Sequence, residues 1–463
     1  MPLPVFAMML CTFCIGTAES VVAGILPAIA RDAGVSLTAV GMLISVYALA
    51  VVLLGPFVTA VTARFRRSLL MPGMMGVFVL GNALAALAPG FGWLVAGRVT
   101  SAVVHSTLIA AFVATARDMA PADRRAAWGA KITLGIGLSS VAGVPAGTLI
   151  GNAFGWRATF WALAALSLAA ALLLTLSTVP DAPPPPAAAP AATVPHGETA
   201  AGGRHGGAAD RGARGGAVNR GARGWLGAAG PMLLVALVIV LGTGGVFALY
   251  TYASPYLTES AGFGPRAVTV LLLLYGAGGI AGNTAGGRAA DRFPRRTVLV
   301  TLGAATAGLL LLGLPVTGKW AVAGLFCLLG AAYFATVPAL NTQMVAAAGP
   351  SSPTMALTVN NSAFCVGIAL GSWLGGVLLA HGRAVPSVAA AGAALTAAAL
   401  LLALATPGRR RRSGAADRER DGAVRAGRSD PADRPRHRAP PPAVTRGYHG
   451  HFTPGTGREG RAC

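Results

Sequence analysis

Charge is scarce in this sequence: only 11% of its 463 residues are Asp, Glu, Lys or Arg, and 54% are hydrophobic. An ordinary soluble domain carries roughly 25% charge, so that class is excluded and a membrane protein remains. Acids are scarcer still, 15 in all. Cysteine offers no scaffold: there are five, and Cys11 and Cys14 fall one helical turn apart inside an apolar stretch. With no second Cys or His pair at zinc spacing, they read as packing residues and not as redox or metal chemistry. No G-x-x-x-x-G-K-[ST] loop is present, which excludes a P-loop ATPase. Alternation at strand length is also missing, which excludes a barrel.

What the chain has instead is long apolar runs, at 5–30, 37–61, 68–89, 93–116, 128–153, 158–178, 231–255, 266–288, 297–315, 319–345, 354–380 and 386–405. Each covers the roughly 17–25 residues that cross a hydrocarbon core. A helix satisfies its own backbone hydrogen bonds in lipid, so the expected fold is an all-α membrane protein with about twelve transmembrane helices. The first run lacks a basic n-region and is longer than a signal-peptide core, so it is expected to stay in the mature chain.

The formal charge of +21 is concentrated outside these runs. Part lies in a Pro-, Gly- and Ala-rich stretch with Arg204, Arg211, Arg214, Arg220 and Arg223, and part in a tail that begins with Arg409 to Arg412. Low complexity without apolar periodicity builds no core. The expected organisation is a six-helix bundle over 1–178, a disordered cytoplasmic linker over 179–230, a second six-helix bundle over 231–406 and a basic, disordered tail over 407–463. Lys and Arg cluster in the loops holding Arg64, Arg66 and Arg67, then Arg117, Arg124, Arg125 and Lys131, then Arg288, Arg292, Arg295 and Arg296. The positive-inside rule makes that side cytoplasmic, together with both termini. Basic segments beside a membrane set topology or meet anionic lipid, so nucleic acid is not an expected partner.

The halves resemble one another. TARFRRSLL (62–70) follows the second apolar run and ADRFPRRTVL (290–299) the eighth. Gly143, Gly147 and Gly151 in the fifth run are matched by Gly367, Gly371 and Gly375 in the eleventh. Glycine at every fourth position lets a neighbouring helix approach closely, and these faces are expected to be the surfaces on which the halves rock. Six plus six helices, a basic turn after the second and eighth, and Gly/Pro-rich fifth and eleventh helices resemble the major facilitator superfamily. Within it, GTAESVVAGILPAIA (16–30), GRVTSAVVHS (97–106), GVPAGTLIGNAFGWRATFW (143–161) and NNSAFCVGIALGSWLGG (360–376) resemble the drug:proton antiporters, especially actinobacterial chloramphenicol exporters and sugar-efflux permeases.

That resemblance implies a loop latch that stabilises one gating state. Gly287, Asp291, Arg292, Arg295 and Arg296 supply it in the second half, and Arg64, Arg66 and Arg67 in the first, where Thr59 and Ala63 take the glycine and aspartate places. Pro145, with Gly143 and Gly147, matches the antiporter signature in part. The implied activity is proton-coupled export, through alternating access and in the bacterial cytoplasmic membrane, of a small, partly apolar compound such as chloramphenicol; a sugar or metabolite exporter of the same fold is the alternative. No cofactor and no enzyme activity are implied, and the expected partners are substrate, protons and the bilayer, with the protein a monomer.

Glu19 is the one acid deep in an apolar run, and a charge kept there costs at least about 2.5–3.5 kcal/mol, which makes it a functional candidate. It lies about 16 Å from the outer end of its helix, and Arg98 enters the fourth helix from that side, about 8 Å deep. Burial favours a neutral carboxyl and a nearby guanidinium favours a charged one, so a movement that alters either loads or releases a proton. His105, two turns beyond Arg98 on nearly the same face, joins them as a relay candidate. Thr17, Tyr47, Asn82, Asn360 and Asn361 are candidates for polar contacts in the cavity or hydrogen bonds between helices.

Overall fold

Prolines and glycines decide where the apolar runs stay straight and where they bend. The computed structural model describes residues 2–62, 64–121, 124–177, 209–314, 318–348 and 353–405. It is all-helical there, and twelve segments are long and apolar enough to cross a membrane. The first run is α1 (Leu3–Ser20) and α2 (Val22–Ala33), followed by α3 (Leu37–Thr62) and α4 (Arg67–Leu87). The fourth run is α5 (Phe91–Val103) and α6 (His105–Asp118); the fifth is α7 (Arg125–Leu138) and α8 (Val144–Phe154); the sixth is α9 (Trp156–Leu176). The second half comprises α10 (Ala209–Thr251), the single turn α11 (Ala253–Pro255), α12 (Pro265–Arg292), α13 (Pro294–Gly313), α14 (Lys319–Ala348), α15 (Pro353–Ala380) and α16 (Pro386–Ala405). Thus α10 begins inside the stretch read from sequence as a linker. Residues 178–208 and the tail from 406 lie outside the described residues.

Three runs are interrupted near their middle and the seventh at its end. In the first, Pro27 has no N–H for the carbonyl at 23, and the Gly24 N–H turns back onto Val21 O at 3.0 Å. In the fifth, Pro145 cannot donate to the carbonyl at 141, and the ladder slips into a π-turn over Ser139–Gly143. Pro255 acts similarly in the seventh, where a π-turn spans Tyr256–Ser260. The fourth breaks at Val104 with neither proline nor glycine nearby. Such breaks expose backbone groups at depth and are tolerated where protein or a cavity satisfies them.

The repeated glycines sit where helices approach most closely. Gly143 abuts Thr17, while Gly147 and Gly151 abut Val21 and Ile25. Gly367 abuts Thr243, Gly371 abuts Gly244, and Gly375 abuts Tyr252. Each therefore packs the fifth run on the first, or the eleventh on the seventh. The expectation that these faces lie between the halves is corrected: they lie within each half. One apolar core runs through both halves, and a second, around Ile239, Val298, Leu340 and Ala399, belongs to the second half alone.

Candidate functional site

The break at Val21 leaves the last carbonyls of α1 without donors from their own helix, as any helix end does. Arg98, fully buried on α5, supplies them. Its Nη1 donates to Ala18 O at 2.7 Å and its Nη2 to Glu19 O at 3.4 Å. The pairing expected between Glu19 and Arg98 takes this form: the guanidinium grips the backbone beside Glu19, and no Glu19 carboxylate oxygen lies within 4.0 Å of it. The carboxylate, partly exposed, has no ion-pair partner among the described residues.

Tyr47 of α3 joins Arg98 to His105. The guanidinium stands over the Tyr47 ring, 4.2 Å from its centroid, and the Tyr47 hydroxyl meets His105 Nδ1 at 3.0 Å. Glu19, Arg98, Tyr47 and His105 are thus one cluster built from the first half. Tyr250 and Tyr333 belong to a closed circuit of five rings, missed in the sequence: Phe247–Tyr250 (centroids 5.4 Å apart), Tyr250–Tyr275 (4.7 Å), Tyr275–Phe334 (6.2 Å), Phe334–Tyr333 (5.1 Å) and Tyr333–Phe247 (5.7 Å). The available signal was aromatic clustering, at 247 and 250 and again at 333 and 334, in a chain that is only 6% aromatic.

The other candidates stand elsewhere. Thr17 spends its hydroxyl on Phe13 O at 2.8 Å and packs on Gly143. Asn82 donates to Phe78 O at 2.8 Å on α4, which packs against α5 and α9. Asn360 bridges to Asn341 Oδ1 at 2.6 Å, and Asn361 is exposed. Among the described residues no three His, Cys, Asp or Glu side chains converge to hold a metal ion.

The halves meet toward the end opposite the basic loops. Thr38 Oγ1 donates to Gly376 O and Ser45 Oγ to Ala369 O, both at 3.1 Å. Tyr252 wedges between Gly41 on one side and Gly375 and Gly376 on the other, its hydroxyl donating to Ser372 O at 3.1 Å. Midway, Gly276 rests on Ser140 and Val141. Toward the basic end α3 emerges from cover, with Leu53 and Phe57 each 69% exposed. In the basic loops Arg67 pairs with Asp118 at 2.6 Å, and Arg295 donates to Leu404 O at 3.0 Å. Arg64 stacks on Phe65 and Arg296 on Phe293, while Asp291 and Arg292 are exposed and Gly287 has open space. The contacts between the halves are thus concentrated away from the basic loops.

At the end opposite the basic loops a clamp ties three loops of the first half. Asp32 accepts from Arg157 and from Trp156 Nε1 (3.0 Å), and Arg157 also donates to Ala88 O at 3.1 Å. The Arg157 hydrogen bond, then that of Trp156, hold the Asp32 carboxyl below its ordinary range. Clefts of about 700 and 770 Å³ open at this end, sharing Leu37 and Glu259; neither is lined by Glu19, Arg98, Tyr47 or His105.

Comparisons with known proteins agree with this architecture. The Major Facilitator Superfamily profile matches residues 8–372 and 235–446. The inner membrane transport protein YdhP of Escherichia coli K12 is 33% identical over 401 residues, covering 86% of this chain and 94% of the relative. A chloramphenicol resistance protein of Streptomyces lividans is 32% identical over 387 residues, covering 82% and 90%. Among solved structures, a bacterial homologue of the human lysosomal transporter Spinster, captured inward-facing and occupied, superposes with a TM-score of 0.64. It shares 15% identity, over 86% of this chain and 95% of that one.

Proposed function

The chain belongs to the major facilitator superfamily and is a multi-pass membrane transporter, and we propose that it exports a small, partly apolar compound in exchange for protons. The observation that carries this reading is Glu19. It is the one acid deep in a membrane span among the described residues, set at a helix break beside the buried Arg98. By the positive-inside rule the basic end is cytoplasmic, and the Tyr252 seam then lies on the exterior side.

In this reading, substrate entering from the cytoplasm meets the Glu19 carboxylate and the aromatic circuit together. Closing the basic end and opening the Tyr252 seam would carry the site to the exterior, where a proton takes the place of the departing substrate on Glu19. Arg98 would keep a positive charge beside the carboxylate throughout, because it is anchored to the α1 backbone and not to the acid itself. The arginines of the basic loops would close against the other half only when that end shuts.

The relative named as a chloramphenicol resistance protein supports a drug of that type as substrate. A sugar or metabolite exporter is the alternative, and it calls for paired polar groups around the site; the circuit of five rings in the second half favours the first reading. The test is growth of cells with and without the gene on a panel of toxic compounds, repeated with the proton gradient collapsed by an ionophore. Resistance that disappears with the gradient is expected; resistance that survives the ionophore rejects proton coupling.

A further inference from the structure

We propose that the cleft of about 700 Å³ at the end opposite the basic loops is a second binding site, separate from the Glu19 cluster, for a small zwitterion with an apolar body. Arg31 takes the ligand's carboxylate and Glu259 its ammonium group. The site makes no use of Glu19, so its failure leaves the export reading standing.

The two charges come from different halves of the chain. Arg31 stands in the last turn of α2, and Glu259 in the π-turn Tyr256–Ser260 that follows Pro255. Both are exposed, both line this cleft, and neither has an ion-pair partner among the described residues. Asp32, next to Arg31 in the chain, shows the contrast: its carboxylate is already spent on Arg157 and Trp156. The rest of the lining is largely apolar, with Pro27 from the first half and Phe263 and Val268 from the second. An ion of one sign meets attraction from one of the two charges and repulsion from the other, whereas a zwitterion satisfies both and lays its apolar body on the lining.

The backbone that carries these charges is built in advance. The helix α2 closes on Gly34 in the left-handed region (φ 64°), where the Val35 N–H donates to Ala30 O at 3.1 Å. On the other side Gly262 takes φ 65°, and the Phe263 N–H folds back onto Leu257 O at 2.9 Å. Loops already fixed in this way need little further ordering when a ligand arrives. A volume of about 700 Å³ falls within the roughly 300–1,000 Å³ of small-molecule sites, which join an apolar lining to a few placed polar groups. Because both halves supply the lining, an occupant touches both and binds best to the arrangement of halves seen here.

The test uses the purified full-length protein in detergent and titration calorimetry with ε-aminocaproate, which carries an ammonium and a carboxylate at the ends of an apolar chain. Caproate and hexylamine, each with one of those ends, are the controls. Saturable ε-aminocaproate binding is expected, with both controls weaker. Arg31→Gln should weaken ε-aminocaproate and caproate roughly 2- to 5-fold, the worth of an exposed charge pair, and leave hexylamine unchanged. Glu259→Gln should weaken ε-aminocaproate and hexylamine by a similar factor and leave caproate unchanged. Arg383→Gln, in the neighbouring cleft of about 770 Å³ that also shares Glu259, should change none of the three. Both Gln variants at Arg31 and Glu259 should unfold at the parent's temperature, since each side chain is exposed. Absence of saturable ε-aminocaproate binding overturns the site. A control that binds as tightly as ε-aminocaproate, or parent-like ε-aminocaproate affinity in either the Arg31→Gln or the Glu259→Gln protein, overturns it equally.

Discussion

Replacing Arg98 with methionine should leave the protein folded and remove its transport. Arg98 donates to Ala18 O at 2.7 Å, a charge-assisted hydrogen bond worth about 1.5–3 kcal/mol. The stacking of its guanidinium on Tyr47 at 4.2 Å is worth about 2 kcal/mol in a desolvated setting. Against a loss of about 3.5–5 kcal/mol stand two gains. The variant no longer buries a charge, whose effective penalty is several kcal/mol, and the methionine side chain buries apolar surface worth about 1.5–3 kcal/mol. The terms nearly cancel, so the unfolding temperature should move by no more than about 5 °C in either direction. Transport is another matter, because the cation beside Glu19 is gone and Tyr47 and His105 lose their neighbour. Proton-linked efflux should fall by about tenfold or more, the equivalent of roughly 1.4 kcal/mol of lost coupling. Purified protein for thermal unfolding and inside-out vesicles for transport measure the two effects separately. Parent-like transport would show that Arg98 has no part in coupling, and a variant that cannot be isolated folded would show that its role is structural.

Two further perturbations act at the end opposite the basic loops. Asp32→Asn weakens the clamp to Arg157 and Trp156; because the clamp holds the Asp32 carboxyl below its ordinary value of 3.8, its contribution is fully present above that value and is lost as pH falls through the lower, folded-state value. The difference in unfolding temperature between parent and variant should therefore be constant from about pH 5 to pH 8 and should shrink only in stronger acid; a difference that fades between pH 7 and pH 5 would contradict the clamp. Gly41→Val places a side chain where the Tyr252 phenol lies, and overpacking of about 1–3 kcal/mol should shift the seam toward opening by roughly 5- to 150-fold. A cysteine replacing Ser45 should then react with an external maleimide in the Gly41→Val background and stay inert without it, and equal reactivity in both would contradict the seam.

The sequence carried the fold because apolar length and charge placement are local properties. Runs of the right length announced the spans, and Gly143, Gly147 and Gly151 announced a close helix contact. Which helix they would meet was not legible, since a small face accepts any neighbour, and both glycine sets turned out to pack within their own half. Glu19, Arg98 and His105 could be linked by depth and helical spacing alone. That Arg98 grips main-chain oxygens could not be read, because it depends on α1 stopping at Ser20, and the Pro27 and Gly24 that cause the stop gave only a weak hint. The break at Val104 had no sequence signal. Tyr47 was one of several polar candidates until the fold put its ring under the guanidinium. The aromatic circuit joins residues from α10, α12 and α14, and no one-dimensional spacing relates those three helices.

The central claim is that Glu19 binds the exported substrate and the counter-moving proton by turns. The direct measurement is proton movement driven by chloramphenicol in liposomes reconstituted with the parent or with the Glu19→Gln variant, each loaded with a pH-sensitive dye. The account predicts that a chloramphenicol gradient moves protons in the parent and that the variant moves none. Proton movement of parent size in the Glu19→Gln liposomes would contradict it.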